Sequence, residues 1–495
     1  MRRELLILLI ILIFSCGKGV TKENSIIIVK DFSVTPSHAN LYGNIDVTIN
    51  LPFNLSDNDI KAYIDNKPMY NIFVLDNLIL GTVAGNDKAG KFDIILETNN
   101  KKYIFKNAFE YENNRYGFDK KVVTVGASYT IGFINMTIKE DDQKYDPFAL
   151  MAKTAEIYFP QSYIKNDFFN GITISDFEQE CSIDYVIKRL FAKLVISIKN
   201  VKDQNGKFFL NNLRVSPETK TYNFGVGAAR IIDTVEGASV HNNPLIAILE
   251  NLVYYPNIEF FDALRDPPIG SPFNAALSEN PDIIMSVDLF ADDIFYYYFA
   301  KLMKIPTTSG ITETVDIERE LETFAKRLKQ KNIVAFVADL PDITIMPIFR
   351  IIKKKLFMSG ISQNRVTQIE SGIRELSNRY NEVFYKIVAK YPDVIIPVPF
   401  REKIDSFINN PPTINGYQYS LDFFGGIISL DFIHPTRTGY AMIANLFVDS
   451  LNSYYGINIQ PVDVEDVAKH DSLSVEALQK TGIDFEQCRS NLSDY

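Results

Sequence analysis

The chain has 495 residues, of which 46% are hydrophobic and 23% are charged, and its formal net charge is -10 at pH 7. This length exceeds one ordinary domain, and the composition is typical of globular proteins with a sizeable core, so we expect two or three folded units. No basic stripe offsets the negative charge, which excludes nucleic acid as the expected partner.

Residues 1–15 are typical of an export signal. Two arginines at positions 2 and 3 precede an apolar run at residues 5–14, which is too short to span a bilayer but suits a signal peptide. The run leads into Cys16, and this arrangement resembles a bacterial lipoprotein signal, in which Cys16 becomes the lipidated first residue. The alternative is an ordinary signal peptide cut near Cys16. Both interpretations predict export, and lipidation predicts anchoring to a membrane of the cell envelope, at the outer membrane or the cell surface.

Residues 16–25 are predicted to form a polar tether, and residues 26–112 then follow a β pattern. Ile45, Val47 and Ile49 alternate with polar residues, which is the period of a half-buried strand. Turn formers separate this run from similar runs later in the segment. Short strands at this spacing predict a small β-sandwich.

The same segment resembles an IPT/TIG immunoglobulin-like domain. The resemblance rests on the opening Val34-Thr35-Pro36, on the strand and turn Tyr63-Ile64-Asp65-Asn66, and on the closing Ala108-Phe109-Glu110-Tyr111. It implies a spacer or a binding module.

Residues 121–461 show a different pattern, in which apolar strands alternate with helices. The predicted strands are Val122–Val125, Ile283–Val287, Ile333–Ala338 and Val394–Val398. The clearest predicted helices span residues 364–390 and 438–455. This alternation predicts an α/β domain with a mostly parallel sheet covered by helices on both faces, and such sheets bind ligands at the carboxyl ends of their strands.

Two segments fit this pattern less well. We interpret residues 138–219 as an insertion that forms a lid or a wall of the substrate site, and residues 462–495 as a polar C-terminal tail. If Cys16 is lipidated, Cys181 and Cys488 remain, and the sequence leaves open whether they pair. Neither has a histidine or cysteine at metal-ligand spacing, so we expect no zinc site.

A candidate nucleophile follows the first strand of this domain. The apolar run ends in Gly126-Ala127-Ser128, a tight turn of small residues that would expose the Ser128 hydroxyl at the strand end. A serine in this position, combined with an oriented histidine, is the minimum equipment for acyl transfer. On its own, such a serine is more often part of an ordinary turn.

A candidate base lies near the C-terminus. Asp431 precedes His434 by three residues, so a turn between them would let the carboxylate hold Nδ1–H and leave Nε2 free as a base. Pro435 then favours the start of a helix. The structural alternative is a capping aspartate beside a surface histidine. Of the four histidines in the chain, His434 is the strongest candidate base.

Together with a third motif, these segments resemble the GDSL-type lipases and esterases of the SGNH hydrolase family, over residues 121–461. Gly126-Ala127-Ser128 matches the first family block, with Ala127 in place of the usual acidic residue. Residues 223–228 match the second block, and residues 425–440, which contain Asp431 and His434, match the last. The resemblance implies a three-layer α/β/α hydrolase in which Ser128 is the nucleophile, His434 the base and Asp431 its orienting partner.

The resemblance also implies an oxyanion hole. Its expected donors are the N–H groups of Ser128 and of Gly227, with Gly225 as the second choice. In the third block, the family's Gly-x-Asn-Asp supplies an asparagine amide, whereas this chain has Asp292 or, in a shifted alignment, Ala291. Losing one oxyanion donor typically costs about 10²–10³ in kcat. An ionised Asp292 would repel the oxyanion, while a protonated one would donate to it.

The sequence therefore predicts a membrane-anchored serine hydrolase that cleaves carboxylic esters of lipids or acylated glycans through an acyl-enzyme. No metal and no organic cofactor is implied. The alternative is an SGNH scaffold without catalysis that serves as a glycan- or lipid-binding lipoprotein. The change at Asp292 and a Gly-to-Phe change at Phe290 favour this alternative, and the joint presence of Ser128, Asp431 and His434 favours the enzyme.

Overall fold

The computed structural model describes residues 25–55, 59–167, 169–179, 181–182, 184–186, 188–190, 192–193, 214–216, 219–227, 229–237, 271–295 and 311–493. Cys16 and the predicted signal lie outside the described residues. The chain divides into two units. The β unit comprises the described residues up to Ala39, Asn44–Ala84 and Ala89–Tyr111, and the α/β unit comprises Asn40–Gly43, Gly85–Lys88 and the residues from Glu112 onwards.

The β unit consists of two sheets. Its strands are β1 (Ser25–Val29), β2 (Ser33–Thr35), β3 (His38–Ala39), β4 (Ile45–Asn50), β5 (Lys61–Ile64), β6 (Lys67–Pro68), β7 (Tyr70–Leu75), β8 (Leu78–Val83), β9 (Gly90–Glu97) and β10 (Lys101–Tyr111). One sheet has the order β1-β10-β9-β5-β6, with β3 also paired to β10, and the other has the order β2-β4-β8-β7. The predicted alternation is confirmed in β4, where Val47 and Ile49 are buried.

The α/β unit is built on a five-stranded parallel sheet, as predicted. Its strands are β11 (Val122–Gly126), β12 (Asn223–Gly225), β13 (Ile283–Ser286), β14 (Val334–Ala338) and β15 (Ile395–Val398), in the order β12-β11-β13-β14-β15. A short hairpin, β16 (Thr413–Ile414) and β17 (Tyr417–Gln418), follows. Four of the five sheet strands match the predicted ones within a residue or two. Strand β12 was not predicted separately, because it is only three residues long.

Helices occupy the connections of the α/β unit. They are α1 (Glu140–Gln143), α2 (Pro147–Ala155), α3 (Ile174–Gln179), α4 (Pro272–Ser278), α5 (Thr314–Lys331), α6 (Pro347–Met358), α7 (Gln363–Lys390), α8 (Phe400–Asn409), α9 (Arg437–Tyr455), α10 (Val464–Lys469), α11 (Val475–Gln479) and α12 (Phe485–Ser493). The described residues also include a π-helical turn at Asp233–Gly237 and a 3₁₀ turn at Ile343–Ile345. The two helices predicted from their periodicity correspond to α7 and α9.

The strand order places a switch point beside β11. The connection that leaves β11 leads to β12 on one side, whereas the connection that leaves β13 leads to β14 on the other side. Because β11 and β13 are neighbours and their connections run to opposite sides, we expect the ligand site between their carboxyl ends, as in other open parallel sheets. Ser128 follows β11 and Asp288 follows β13, so both lie at this edge.

The first part of the predicted insertion belongs to the core instead of forming a lid. Phe148 in α2 is fully buried, and its ring packs edge-to-face on Phe447 of α9 with 4.9 Å between ring centroids. Phe159 is likewise 1% exposed. The apolar residues of this segment are scattered among polar ones and follow no single helical or strand period. Its sequence therefore did not predict a packed structure. Residues 194–213 lie outside the described part of the chain.

The prediction of a polar C-terminal tail is wrong. Residues 462–495 contain α10, α11 and α12, and their apolar residues Val467, Leu473, Leu478 and Leu492 are buried in the core of the α/β unit. A disulfide joins Cys488 in α12 to Cys181, with 5.1 Å between the Cα atoms, which answers the question that the sequence left open. A short amphipathic helix needs an apolar residue only at every third or fourth position to form its buried face. The segment can therefore have a polar composition and still pack on the core.

Among the described helices, none combines the length and the apolar character that a membrane crossing requires.

Candidate active site

Ser128 lies in a sharp turn directly after β11. Gly126, the last residue of the strand, has φ +147°, a backbone conformation that side chains rarely allow. A Cβ at this position would overlap Thr130 Oγ1, the Asp288 carboxylate and Ser286 Oγ. Small residues are required in this turn because its backbone lies in contact with these polar groups. Ser128 itself is 9% exposed.

The carboxylate of Asp288 holds the Ser128 turn from the neighbouring strand. Its Oδ1 accepts hydrogen bonds from Ala127 N–H (2.8 Å) and Thr130 Oγ1 (2.7 Å), and its Oδ2 accepts one from Tyr129 N–H (2.7 Å). Burial raises the pKa of Asp288, and these hydrogen bonds partly oppose the rise. Both neighbours of Ser128, Ala127 and Tyr129, are therefore hydrogen-bonded to the segment that follows β13. Sequence analysis did not assign Asp288 this role.

Asp431 and His434 form the pair that the sequence predicts. His434 Nδ1 lies 2.8 Å from Asp431 Oδ2, and the N–H groups of Ile433 and His434 donate to Asp431 Oδ1 at 2.9 and 2.8 Å. Although burial alone would raise the pKa of Asp431, the charge and hydrogen bonds of His434 and the Ile433 N–H hold it below its ordinary value. Asp431 is 4% exposed and His434 is 6% exposed, so the structural alternative of a surface histidine does not apply.

Several contacts bring the Ser128 turn and the His434 turn together. The Tyr129 hydroxyl donates a hydrogen bond to Ile433 O, and the Tyr129 ring centroid lies 5.7 Å from that of His434. The Phe133 ring centroid lies 5.3 Å from the same imidazole. Within the described part of the chain, no hydrogen bond joins Ser128 Oγ to His434 Nε2. Such catalytic contacts are often loose without substrate.

A strained hairpin turn at Asn135 and Met136 also supports Asp431. Both residues have positive φ, 57° and 58°, and their flanking residues Ile134 and Thr137 form a bridge. The turn directs Met136 N–H at Asp431 Oδ2 (2.7 Å), so this oxygen accepts from the backbone as well as from His434. Positive φ is unusual for methionine, and strain of this kind persists only where surrounding contacts maintain it.

The N–H groups of Ser128 and Gly227 are available as oxyanion donors. Neither has an acceptor among the residues that the structure describes, although both residues are buried. Gly227 follows β12, which is joined to the Ser128 strand by the hydrogen bond from Val226 N–H to Gly126 O (2.8 Å). The second choice, Gly225, is less suitable because its N–H already donates to Asn223 Oδ1 at 3.1 Å.

Three acidic residues of the altered third block differ sharply in their contacts. Asp288 holds the Ser128 turn, and Asp293 accepts hydrogen bonds from Ile231 N–H (2.8 Å) and Thr312 Oγ1 (2.5 Å). Asp292 is 7% exposed and has no hydrogen-bond partner among the described residues. Burial, reinforced by the charges of Asp288 and Asp293, raises the pKa of Asp292 well above its ordinary value. Burial also raises the pKa of Asp293 to about 7.

The Gly-to-Phe change in this block serves packing. Phe290 is 2% exposed, and its ring lies on that of Phe384 in α7, with 5.5 Å between centroids. The signal that sequence analysis missed is the position of Asp288 directly after β13. An acidic residue at the end of a strand that neighbours the Ser128 strand can reach the N–H groups of that turn.

Comparison with known proteins gives one family match. Residues 202–447 match the family model described as GDSL-like Lipase/Acylhydrolase, a range that includes Gly227, Asp292, Asp431 and His434 but not Ser128. No match was found among curated proteins.

Similar solved structures are remote. LAE5, an alpha/beta hydrolase enzyme from the metagenome of Lake Arreo, Spain, is 13% identical over 67% of this chain and 94% of its own, with a TM-score of 0.31. The acetyl xylan esterase AlAXEase is 15% identical over 46% and 79%, with a TM-score of 0.25. XAC1771, a carbohydrate acetylesterase from Xanthomonas citri, is 10% identical over 88% and 74%, with a TM-score of 0.26. These likenesses carry no argument about substrate, and the family match, to a GDSL-like lipase/acylhydrolase model, is confined to residues 202–447.

Proposed function

We propose that this protein is a serine hydrolase of carboxylic esters, with Ser128 as the nucleophile, His434 as the general base and acid, and Asp431 as the residue that orients His434. The observation that carries the proposal is the 2.8 Å contact between His434 Nδ1 and Asp431 Oδ2 beside the Ser128 turn. With Nδ1 held by a carboxylate, Nε2 is the nitrogen that remains to accept a proton.

The reaction proceeds in two steps. Ser128 Oγ attacks the ester carbonyl carbon and its proton passes to His434 Nε2, while the N–H groups of Ser128 and Gly227 donate to the oxyanion. The bond to the alcohol then breaks, and His434 protonates the leaving oxygen, which leaves the acyl group on Ser128. A water molecule gives a proton to His434 and attacks this acyl-enzyme. Collapse of the second oxyanion releases the acid and returns the proton to Ser128.

Asp292 completes the oxyanion hole as a neutral acid. Its raised pKa favours the protonated form. Because the carboxyl group has no hydrogen-bond partner among the described residues, its proton is available for donation to the oxyanion. Burial chiefly raises the pKa of Tyr129, the residue after Ser128, and the nearby carboxyl groups of Asp431, Asp288 and Asp292 add to the rise, which supports a position of Asp292 near the turn. A protonated carboxyl group can therefore take the place of the asparagine amide that the family pattern implies.

The aspartate at position 292, where the family pattern has an asparagine, is the feature behind a second candidate function, that of a glycan- or lipid-binding protein without catalysis. If Asp292 were ionised, a charge about 4 Å from the oxyanion at an effective dielectric near 20 would oppose it by on the order of 4 kcal/mol. The same fold would then bind an ester without cleaving it. The pH dependence of the reaction separates these two cases.

We further propose that the protein is exported and held at a membrane through lipidated Cys16, and that its substrate is an ester of a lipid or of an acylated glycan. The support is the apolar run at residues 5–14 followed by Cys16. Expression of Cys16→Ala should release the protein from the membrane fraction and abolish incorporation of labelled fatty acid. Retention of both properties in this variant would contradict the anchor.

The catalytic proposal is tested with a panel of nitrophenyl esters of increasing acyl length. The wild-type protein is expected to hydrolyse at least one of them, and Ser128→Ala and His434→Gln should each lower kcat by on the order of 10⁴ or more. Each variant is checked for folding by its thermal transition. Hydrolysis that persists unchanged in both folded variants would refute the assignment.

A further inference from the structure

The turn that joins Asp431 to His434 has a strained backbone at Phe432. This residue has φ +66° and is 1% exposed. The left-handed conformation is unfavourable for a non-glycine residue, and a bulky residue adopts it only where packing enforces it. The strain lies inside the segment that sets the distance between the carboxylate and the imidazole.

An aromatic cluster surrounds the Phe432 side chain. Its ring contacts those of Phe423, Phe424 and Phe177, with centroid separations of 4.8, 5.8 and 5.8 Å. Phe424 also has a positive φ of 57°, so the chain is strained at two points that face each other in this cluster. The cluster therefore holds Phe432 in place through side-chain packing.

Two helices support this cluster from outside, and a disulfide links the segments that carry them. Phe177 in α3 contacts Phe424 with 5.3 Å between centroids, and Phe485 in α12 contacts Phe424 at 4.6 Å. Cys181, two residues beyond α3, is bonded to Cys488 in α12.

Helix α12 also contacts the backbone of the cluster. The guanidinium group of Arg489 donates to Phe423 O from Nε at 3.3 Å and from a terminal nitrogen at 3.1 Å. The C-terminal helix is thus fastened to the cluster by ring packing, hydrogen bonding and a covalent bond.

We propose that Phe432 is a positioning residue for the Asp431–His434 pair, and that α12, fixed by the Cys181–Cys488 disulfide, sets its position. Without this support, the Phe432 backbone relaxes and the hydrogen bond from His434 Nδ1 to Asp431 weakens. The kinetic consequence rests on the proposed function, whereas the effect on the hydrogen bond does not.

The test uses Phe485→Ala, which removes one outer ring of the cluster without touching Asp431 or His434. A matched control is Phe324→Ala, because the rings of Phe324 and Phe273 are also 4.6 Å apart at a similar angle. Phe324 is fully buried, so its truncation should cost at least as much stability.

Two readouts are followed in full-length protein labelled with ¹⁵N-histidine. The first is the proton resonance of His434 Nδ1–H, assigned by its loss in His434→Gln, and the second is the rate of labelling by a fluorophosphonate. Phe485→Ala is expected to broaden or abolish the resonance and to slow labelling by on the order of tenfold or more. Phe324→Ala is expected to preserve both.

A second perturbation covers the case in which Phe485→Ala does not fold. Reduction with a phosphine converts the disulfide to two thiols as the phosphine is oxidised, and Cys181→Ser combined with Cys488→Ser removes the bond permanently. Both should weaken the His434 resonance in folded protein.

The proposal is overturned if the resonance is unchanged in every folded variant and after reduction, if the control loses it equally, or if the wild-type protein lacks it. A wild-type protein that shows the resonance but never reacts with the fluorophosphonate would refute the hydrolase function alone, and the resonance would still decide the proposal.

Discussion

Replacing Asp288 by asparagine tests how the Ser128 turn is held. An asparagine oxygen can still accept from Ala127 N–H and Thr130 Oγ1, but its NH₂ group then faces Tyr129 N–H, where the carboxylate now accepts at 2.7 Å. The variant loses one charge-assisted hydrogen bond and leaves a buried donor without an acceptor, each worth about 1–3 kcal/mol. Burial of the charged carboxylate is itself unfavourable, which is why burial raises the pKa of Asp288. Removing the charge therefore offsets part of the loss in unfolding free energy.

We therefore expect Asp288→Asn to lower the free energy of unfolding by about 2 kcal/mol. The larger effect should be on reactivity, because both neighbours of Ser128 lose a fixed partner. Displacement of a nucleophile by about 1 Å can cost on the order of 10²-fold in rate. Urea denaturation measures the first quantity, and the rate of fluorophosphonate labelling of Ser128 measures the second.

Asp471→Asn is the matched control. The buried carboxylate of Asp471 accepts from Thr438 N–H (2.9 Å) and Thr438 Oγ1 (2.7 Å) on one oxygen and from Leu473 N–H (2.9 Å) on the other, which is the donor pattern found at Asp288. It should lose similar stability while the labelling rate stays at the wild-type value. If Asp288→Asn labels as fast as wild type, or if both variants slow equally, the reasoning about the Ser128 turn is wrong.

Substitutions at three further positions probe the rest of the site. Because the pKa of Asp292 is raised, this residue loses its proton only as the pH rises, so the activity of the wild-type protein should fall at alkaline pH, by up to about 10³-fold at full ionisation. Asp292→Asn should remove this fall. A pH–rate profile with the same alkaline fall in both proteins would contradict the role of Asp292 as a proton donor to the oxyanion. Gly126→Ala should lower the unfolding free energy by about 3 kcal/mol or more, since its Cβ would overlap Thr130 Oγ1, and a wild-type melting temperature would refute the clash. Met136→Gly tolerates the φ of 58° without strain and keeps the N–H bond to Asp431, so activity should persist. Met136→Pro removes that N–H and cannot adopt a positive φ, so it should disrupt the turn and lower kcat; an equal loss of kcat in both folded variants would contradict the role of this N–H.

The local part of the site was predictable from sequence. Asp431 and His434 are three residues apart, and a single turn brings their side chains together without help from distant segments. Ser128 was predictable because apolar strands in an α/β pattern form a parallel sheet whose carboxyl ends share one edge. The proposed oxyanion donor Gly227 comes from the resemblance to the second family block, and the structure adds that the N–H of the second choice, Gly225, is already used.

The supporting contacts were not predictable because they join residues far apart in sequence. Asp288 and Tyr129 are separated by 159 positions, and Met136 and Asp431 by 295, so no local period reports either hydrogen bond. The C-terminal segment has a polar composition, and its place in the core depends on contacts with distant residues, such as the packing of Phe485 in α12 on Phe424.

The most direct test of the central claim is mass-spectrometric mapping of a fluorophosphonate adduct on the purified protein, with Ser128→Ala as the control. The account predicts one adduct on the peptide that contains Ser128, and none in the control. An adduct on another residue, or no adduct at any pH from protein shown to be folded, would contradict a nucleophilic Ser128. In the second case, the protein would be a binding module on a hydrolase scaffold.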